Sequence, residues 1–262
     1  MSKHQALDTF GRSGNPIIRS SAFQESASSG ERMTLEGAVN KTGILLFLTV
    51  LSSAISWNFQ GPLMSLIATI GIFTGSIAAI ATFGFPMFFI GWIVKPRPYR
   101  APKTAPIYAI GMGFMIGMIS QQAEAMFPGI VIQAVSLTFF VAASLLFAYK
   151  TGIIRPTQNF VLMVFAATLG IFLTYFFNFI FSLFTGSSFT IFTDTGWMGI
   201  GLSLFIVAIA ALNLVLDFDI IEQSEEQGAP KYMEWFGAMA LVATLIWLYI
   251  EILRLLMKLR SR

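Results

Sequence analysis

The sequence predicts an all-α, polytopic integral membrane protein with seven transmembrane helices. Apolar residues make up 56% of the chain and charged residues only 11%, whereas soluble domains carry about 25% charged residues. Mean hydropathy is +0.75. A membrane-spanning helix needs about 20 apolar residues, and β-barrel strands would instead alternate over about 10 residues. Long charge-free runs that do not alternate occur at Thr42–Val94, Ala125–Tyr149, Pro156–Thr193 and Thr195–Leu216.

The chain begins with a polar, Ser- and Gly-containing tail. Its composition predicts disorder over residues 1–34, followed by a seven-helix transmembrane domain over residues 35–262. The first apolar run starts at Thr42, which is later than a cleavable signal peptide would lie.

The first three apolar segments flank a basic loop. The first is predicted at 35–57, with Thr34 as its N-cap. The second, at 62–94, is too long for one straight span, so Pro86 is expected to kink it or a short turn to split off its first part. The loop 95–103 follows, with four basic residues and three prolines, and the third segment is predicted at 105–123.

Four further segments complete the predicted set, at 130–149, 159–184, 196–221 and 232–257. With the N-terminus in the cytoplasm, twelve of the sixteen Lys and Arg residues lie on the inner side and the outer loops carry none. The last four basic residues would then lie outside, unless the seventh segment re-enters. The sequence has no cysteine and no organelle signal, which favours a bacterial inner membrane.

Composition also narrows the function classes. The chain has no cysteine, and its only histidine is His4, so zinc ligands and a histidine base within the membrane are missing. No phosphate-binding P-loop and no GxGD stretch of an aspartyl intramembrane protease occurs. We therefore expect a protein that is not an enzyme, has no cofactor and does not bind nucleic acid.

Carboxylates at the end of the sixth segment are the first candidate site. Asp217 and Asp219 end an apolar run, and Glu222 follows; an acid at the centre of a bilayer costs about 2.5–3.5 kcal/mol on insertion scales. Asp217 and Asp219 lie about 200° apart on a helix, whereas Asp219 and Glu222 share a face. The acids either lie at the end of the helix that contacts water, or titrate as a cluster that exchanges a proton for a cation such as calcium.

Glu251 is the second candidate, because it follows sixteen uncharged residues in the seventh segment. Arg254 lies three residues further on and can neutralise it on the same helix face. Glu124 ends the third segment, which runs parallel to the seventh in this topology. Glu124 is therefore a second candidate partner for Arg254.

Several stretches together resemble the Bax inhibitor-1 family, in particular a bacterial branch of it. They are VLDFDIIE and LYIEILRLL in the last two segments, GAPKYMEW over 228–235, EAMFPGIVIQAVSLT over 124–138, and KTGILLFL from Lys41. The resemblance implies six helices around a central seventh, and a pH-sensitive calcium leak controlled by one acid on each of the last two helices. Asp217 or Asp219 takes the first role, and Glu251 takes the second.

The chain departs from the family at the second acid, which is usually Asp and here is Glu251. If the seventh segment starts near Tyr232, Glu251 lies about 25–30 Å along the helix, and Glu234 becomes the nearer partner of Asp217. The leading hypothesis is a cation leak gated by protonation, with the lipid bilayer, cations and protons as partners. The alternative is a non-conducting regulator that binds a membrane protein through its tail or basic loops. A proton-coupled transporter ranks lower, because no internal repeat is visible.

Overall fold

The computed structural model describes residues 31–59, 61–87, 91–94, 96–186 and 194–262. Those residues contain seven α-helices, a short antiparallel strand pair and a single 3₁₀ turn at Pro98–Arg100. The strands, β1 (Phe85–Met87) and β2 (Gly91–Val94), pair with each other. The helices are α1 (Leu35–Asn58), α2 (Pro62–Phe83), α3 (Ala101–Met126), α4 (Ile130–Lys150), α5 (Gln158–Thr185), α6 (Trp197–Glu226) and α7 (Met233–Arg260).

The seven helices coincide with the seven predicted segments, which confirms the all-α membrane fold. Thr34 is the N-cap of α1, as predicted, and its hydroxyl accepts a hydrogen bond from Gly37 N–H at 3.0 Å. The predicted extension of the second helix to residue 94 is wrong. The helix ends at Phe83, and Gly84 follows with a φ of 80°, which favours glycine. Pro86 therefore lies in β1 and does not kink a helix.

By length and composition, six of the seven helices described are apolar enough to cross a membrane; α3 does not meet that criterion. Three of its glycines lie at close contacts with α1 and α2. A Cβ on Gly113 or Gly117 would overlap the Ser52 or Ser56 hydroxyl of α1, and a Cβ on Gly71 of α2 would lie 3.3 Å from Gly111. Small residues that permit backbone approach lower hydropathy without making a helix polar.

The chain forms two compact units. The first comprises Met1–Ile119 and Asp217–Ala243, so it holds α1, α2, most of α3, the end of α6 and the start of α7. Its core includes Met33, Ile221 and Phe236, with the Phe83 ring packed edge-on against Phe236 at 5.2 Å between centroids.

The second unit comprises Ser120–Leu216 and Thr244–Arg262. Its core groups Ile171 of α5 with Ile206 and Ile209 of α6, and Trp247 of α7 packs against them. Over the most apolar part of each helix, 61% of α7 is buried against 11% of α5. The last helix is therefore the most buried of the six, as predicted for a central helix, and the Phe-rich α5 presents most of its surface to lipid.

Candidate functional site

Glu251 lies in the core of the second unit, with only 2% of its surface exposed. Both of its carboxylate oxygens accept from Arg254 Nη1, each at 3.1 Å. The predicted ion pair between these residues is therefore present, on one face of α7. A buried carboxylate needs such a partner, because desolvation of an uncompensated charge costs several kcal/mol.

Tyr175 of α5 completes this site. Its hydroxyl donates to Glu251 Oε1 at 3.0 Å and accepts from Arg254 Nη1, and the guanidinium lies over the ring at 5.4 Å from the centroid. The hydroxyl thus donates to one charged group, the Glu251 carboxylate, and accepts from another, the Arg254 guanidinium. We call Glu251, Arg254 and Tyr175 the acid triad. The sequence reasoning missed Tyr175, although a tyrosine within the stretch LTYFFNF signals a hydroxyl that needs a buried partner.

The acid triad joins α5 to α7 through hydrogen bonds and an ion pair. Arg254 keeps 33% of its side chain exposed, whereas Glu251 is buried. The carboxylate therefore lies on the inner side of the pair, and the guanidinium lies between it and the surface of the unit.

Glu124 lies just beyond the predicted apolar segment 105–123 and caps α4. Its Oε1 accepts from Gly129 N–H at 2.5 Å, and its Oε2 accepts from Val131 N–H at 3.1 Å. The hydrogen bond from Gly129 is the largest cause that lowers the pKa of the Glu124 carboxyl, and the bond from Val131 is the second. The carboxylate thus satisfies the otherwise unpaired donors at a helix start, while Arg254, its predicted partner, binds Glu251 and Tyr175.

Asp217, Asp219 and Glu222 lie on the part of α6 that belongs to the first unit, and each is half-buried. Asp219 Oδ2 accepts from Gln223 Nε2 at 2.6 Å, one helical turn further on. The half-burial of all three acids fits the end of a membrane helix, where the cost of charge is smaller than at the centre.

Glu234, the nearer partner that the sequence suggested for Asp217, is fully buried in the first unit. Its Oε1 accepts from the N–H and the hydroxyl of Thr34, both at 3.1 Å, and forms an ion pair with Lys231 at 3.2 Å. In an ordinary capping box, a Glu at the third helix position binds the N–H of the N-cap residue. Here that position is Gly37, and a Cβ on it would overlap the Glu234 carboxylate. Glu234 of α7 therefore completes the cap of α1 from a distance of 200 residues along the chain.

The chain just before α1 is fastened to the loop between α6 and α7. Met33 N–H donates to Ala229 O at 2.8 Å, Lys231 N–H donates to Glu31 O at 3.0 Å, and Arg32 forms a β-bridge with Pro230. Met33 itself is 3% exposed. Residues 31–34, at the end of the predicted polar tail, are thus held to this loop, and Met33 alone of the four packs into the core of the first unit.

Three of the described acids have different partners. Glu251 is held by Arg254 and Tyr175, Glu124 by the start of α4, and Glu234 by Thr34 and Lys231. Across the described ranges, no three His, Cys, Asp or Glu side chains gather as a metal site would.

Helices long and apolar enough to span a bilayer, with an ion pair on the most buried of them, define an α-helical integral membrane protein. Comparison with protein-family models gives its family: the model described as Bax inhibitor 1 like matches residues 15–261. The chain therefore belongs to this family, which confirms the resemblance seen in the sequence. Its assignment to a bacterial branch stays a prediction. No curated protein matches the chain.

Proposed function

We propose that the protein is a cation leak of the membrane, that calcium is the transported ion, and that protonation of Asp217, Asp219 and Glu251 controls the flux. The observation that carries the proposal is the burial of Glu251 on α7, where it forms an ion pair with the partly exposed Arg254. An ionisable group inside a membrane protein is costly and is retained where it binds ions or protons. In this proposal calcium is cargo, and the protein is neither an enzyme nor the holder of a resident cofactor.

The triad supports control by protons because its geometry depends on charge. With Glu251 ionised, Arg254 and Tyr175 both point their donors at the carboxylate. A neutral carboxyl can still accept hydrogen bonds through its carbonyl oxygen, but the bond from Tyr175 then joins two neutral groups, and a charge-assisted bond is about twice as strong as a neutral one. The half-buried acids of α6 support the proposed transport of a cation, since carboxylates attract cations toward a pathway.

Calcium flux into proteoliposomes, measured from pH 5 to pH 8, tests the proposal. Asp217→Asn, Asp219→Asn and Glu251→Gln each place a neutral side chain where the proton would act. We expect at least one of these variants to lose most of the pH dependence of flux. Glu226→Gln is the matched control, since it removes an exposed acid from the same helix as Asp217. Wild-type flux and pH dependence in all three acid variants would rule out this mechanism.

The second candidate function is a non-conducting membrane regulator that binds another membrane protein. The acid triad favours it, because the contacts of Glu251 with Tyr175 and Arg254 can serve only to hold α5 and α7 together. Absence of flux, together with a stoichiometric partner that is lost when residues 1–30 are removed, would favour this candidate. Such a truncation leaves residues 31–34 and their contacts with the loop before α7 in place.

We further propose that the N-terminus is cytoplasmic, that the membrane is a bacterial inner membrane, and that α7 crosses it. Twenty-eight helical residues span about 42 Å at 1.5 Å per residue, more than the roughly 30 Å of hydrocarbon. The absence of cysteine makes the test direct: Gln227→Cys and Ser261→Cys are each labelled in intact cells with a membrane-impermeant maleimide. We expect labelling only at residue 261, although basic residues usually stay inside. Equal accessibility at both positions would show that α7 re-enters.

A further inference from the structure

The Tyr175 hydroxyl is the contact through which α5 reaches the Glu251 carboxylate. It donates to Glu251 Oε1 at 3.0 Å, from one helix of the second unit to another. Within the described ranges, the other hydrogen bonds to this carboxylate come from Arg254, which lies on α7 together with Glu251. Among the described residues, Tyr175 is therefore the one donor by which a neighbouring helix acts on the charge of Glu251.

The two helices that pack around Tyr175 supply no charge of their own. The tyrosine packs against the core cluster that α5 and α6 form in the second unit. Helix α5 contains no Asp, Glu, Lys, Arg or His, and Tyr175 is its only titratable residue. The part of α6 that belongs to this unit, residues 197–216, carries no charged residue either. The effect of α5 on the protonation of Glu251 therefore passes through one hydroxyl group.

Other charged groups of the second unit act on Glu251 from α7 or are bound elsewhere. Arg254 forms the ion pair, and Lys258, one turn beyond it, adds a positive charge that interacts with Glu251. Glu124 of α3 accepts from the backbone at the start of α4, and Asp194 accepts from the backbone at the start of α6. None of these charges is altered when the tyrosine hydroxyl is removed, so they form a constant background for a test of that hydroxyl.

We propose that Tyr175 is a positioning residue that sets the pH at which Glu251 takes up a proton. The contact between α5 and α7 thereby sets the pH at which the flux changes, and this part of the inference rests on the proposed function. The hydroxyl donates to the ionised carboxylate and so stabilises its charged form over its neutral form. A proton that arrives from water must overcome that stabilisation, because the bond from Tyr175 then joins two neutral groups.

Tyr175→Phe tests the role of the hydroxyl, because it keeps the ring beside the Arg254 guanidinium. Without the donor, protonation of Glu251 should occur at a pH about 1 unit higher, which is a tenfold gain in proton affinity. The measurement is infrared difference spectroscopy of the full-length protein in nanodiscs from pH 4 to pH 9, which separates the carbonyl band of a protonated carboxyl from the bands of a carboxylate. Loss of that band in Glu251→Gln assigns it to Glu251.

Tyr249→Phe is the matched control. Tyr249 is a buried tyrosine of α7, and its hydroxyl bonds with Ser120 Oγ at 2.5 Å and not with Glu251. Both substitutions remove one tyrosine hydroxyl from the second unit, but only Tyr175→Phe should move the midpoint of the Glu251 band. A role in packing alone would lower stability in both variants and move that midpoint in neither.

A second substitution changes the donor in the opposite direction and keeps the side chain nearly intact. 3-Fluorotyrosine at position 175 is a more acidic phenol and hence a stronger donor, so the midpoint should move to lower pH. This variant also decides the question should Tyr175→Phe fail to fold. Opposite shifts in the two variants would show that hydrogen-bond strength, and not the shape of the side chain, sets the protonation of Glu251.

Calcium flux into proteoliposomes, measured on the same variants, separates this inference from the proposed function. The midpoint of flux should move together with the infrared midpoint. Absence of pH-dependent flux in the wild type, with an infrared midpoint that still shifts in Tyr175→Phe, would refute the proposed function and retain Tyr175 as the residue that sets proton uptake. An infrared midpoint that is unchanged or lowered in Tyr175→Phe, or a Glu251 band that does not titrate in the wild type, would overturn the inference whatever the flux.

Discussion

Arg254→Leu is expected to destabilise the protein by about 3–5 kcal/mol, which is the usual cost of breaking a buried ion pair by removing one partner. The substitution leaves the Glu251 carboxylate buried at 2% exposure, with the Tyr175 hydroxyl as its remaining donor in the triad. The measurement is equilibrium unfolding in mixed detergent and SDS micelles, followed by circular dichroism.

Three variants separate the cost of a buried charge from the loss of arginine packing. In Glu251→Leu/Arg254→Leu both charges are gone, so most of the lost stability should return. Arg254→Lys should be intermediate, because an ammonium cannot reproduce the planar contact with Tyr175. Arg155→Leu, at an exposed arginine of the loop before α5, should change stability by less than about 0.5 kcal/mol. A double variant as unstable as Arg254→Leu would show that packing, and not uncompensated charge, is what the arginine supplies.

The contrast between Arg254 and Tyr175 shows what the sequence could and could not predict about the site. Arg254 lies three residues after Glu251, so helical periodicity alone places the two on one face. Tyr175 lies 76 residues away on α5, and its position depends on how α5 and α7 align along their lengths. Uniformly apolar helices do not encode that alignment in their pattern, because sliding one past the other by a turn buries a similar surface.

The same reasoning applies to the fold. Apolar runs bounded by basic loops predicted all seven helices, because a bilayer imposes length and composition on any segment that crosses it. The end of α2 was not predicted. Pro86 suggested a kink within a longer helix, whereas the helix stops before Gly84, which has a positive φ. The close packing of α3 was only hinted at by its glycines. Which helices meet at Gly111, Gly113 and Gly117 depends on contacts that are distant in sequence.

The sequence predicts one of the two residues that cap the start of α1. Thr34 has the side chain of an N-cap and the structure uses it as one. The residue that completes a capping box is expected three positions later, and a glycine there suggests that the box is missing. Glu234 supplies it instead, and the space left by Gly37 is what admits the carboxylate.

Gly37→Ala should therefore destabilise the protein by about 2–4 kcal/mol, against the usual preference of helices for alanine over glycine. A Cβ at this position displaces the Glu234 carboxylate from Thr34, and each hydrogen bond to a charged group is worth about 1.5–3 kcal/mol. Gly43→Ala is the matched control in the same helix. Its Cβ meets nothing within 4 Å, so it should stabilise by as much as about 1 kcal/mol.

A double-mutant cycle makes the cause explicit, with unfolding measured in the same micelles. In a Glu234→Ala background the carboxylate is gone, so Gly37→Ala should change sign and stabilise the protein as Gly43→Ala does. The coupling energy between positions 37 and 234 should then be about 3 kcal/mol, at the upper end for residues in contact. If Gly37→Ala is equally destabilising in both backgrounds, the glycine serves the backbone of α1 and not the carboxylate. A change of sign would instead establish that a residue of the last helix holds the start of the first.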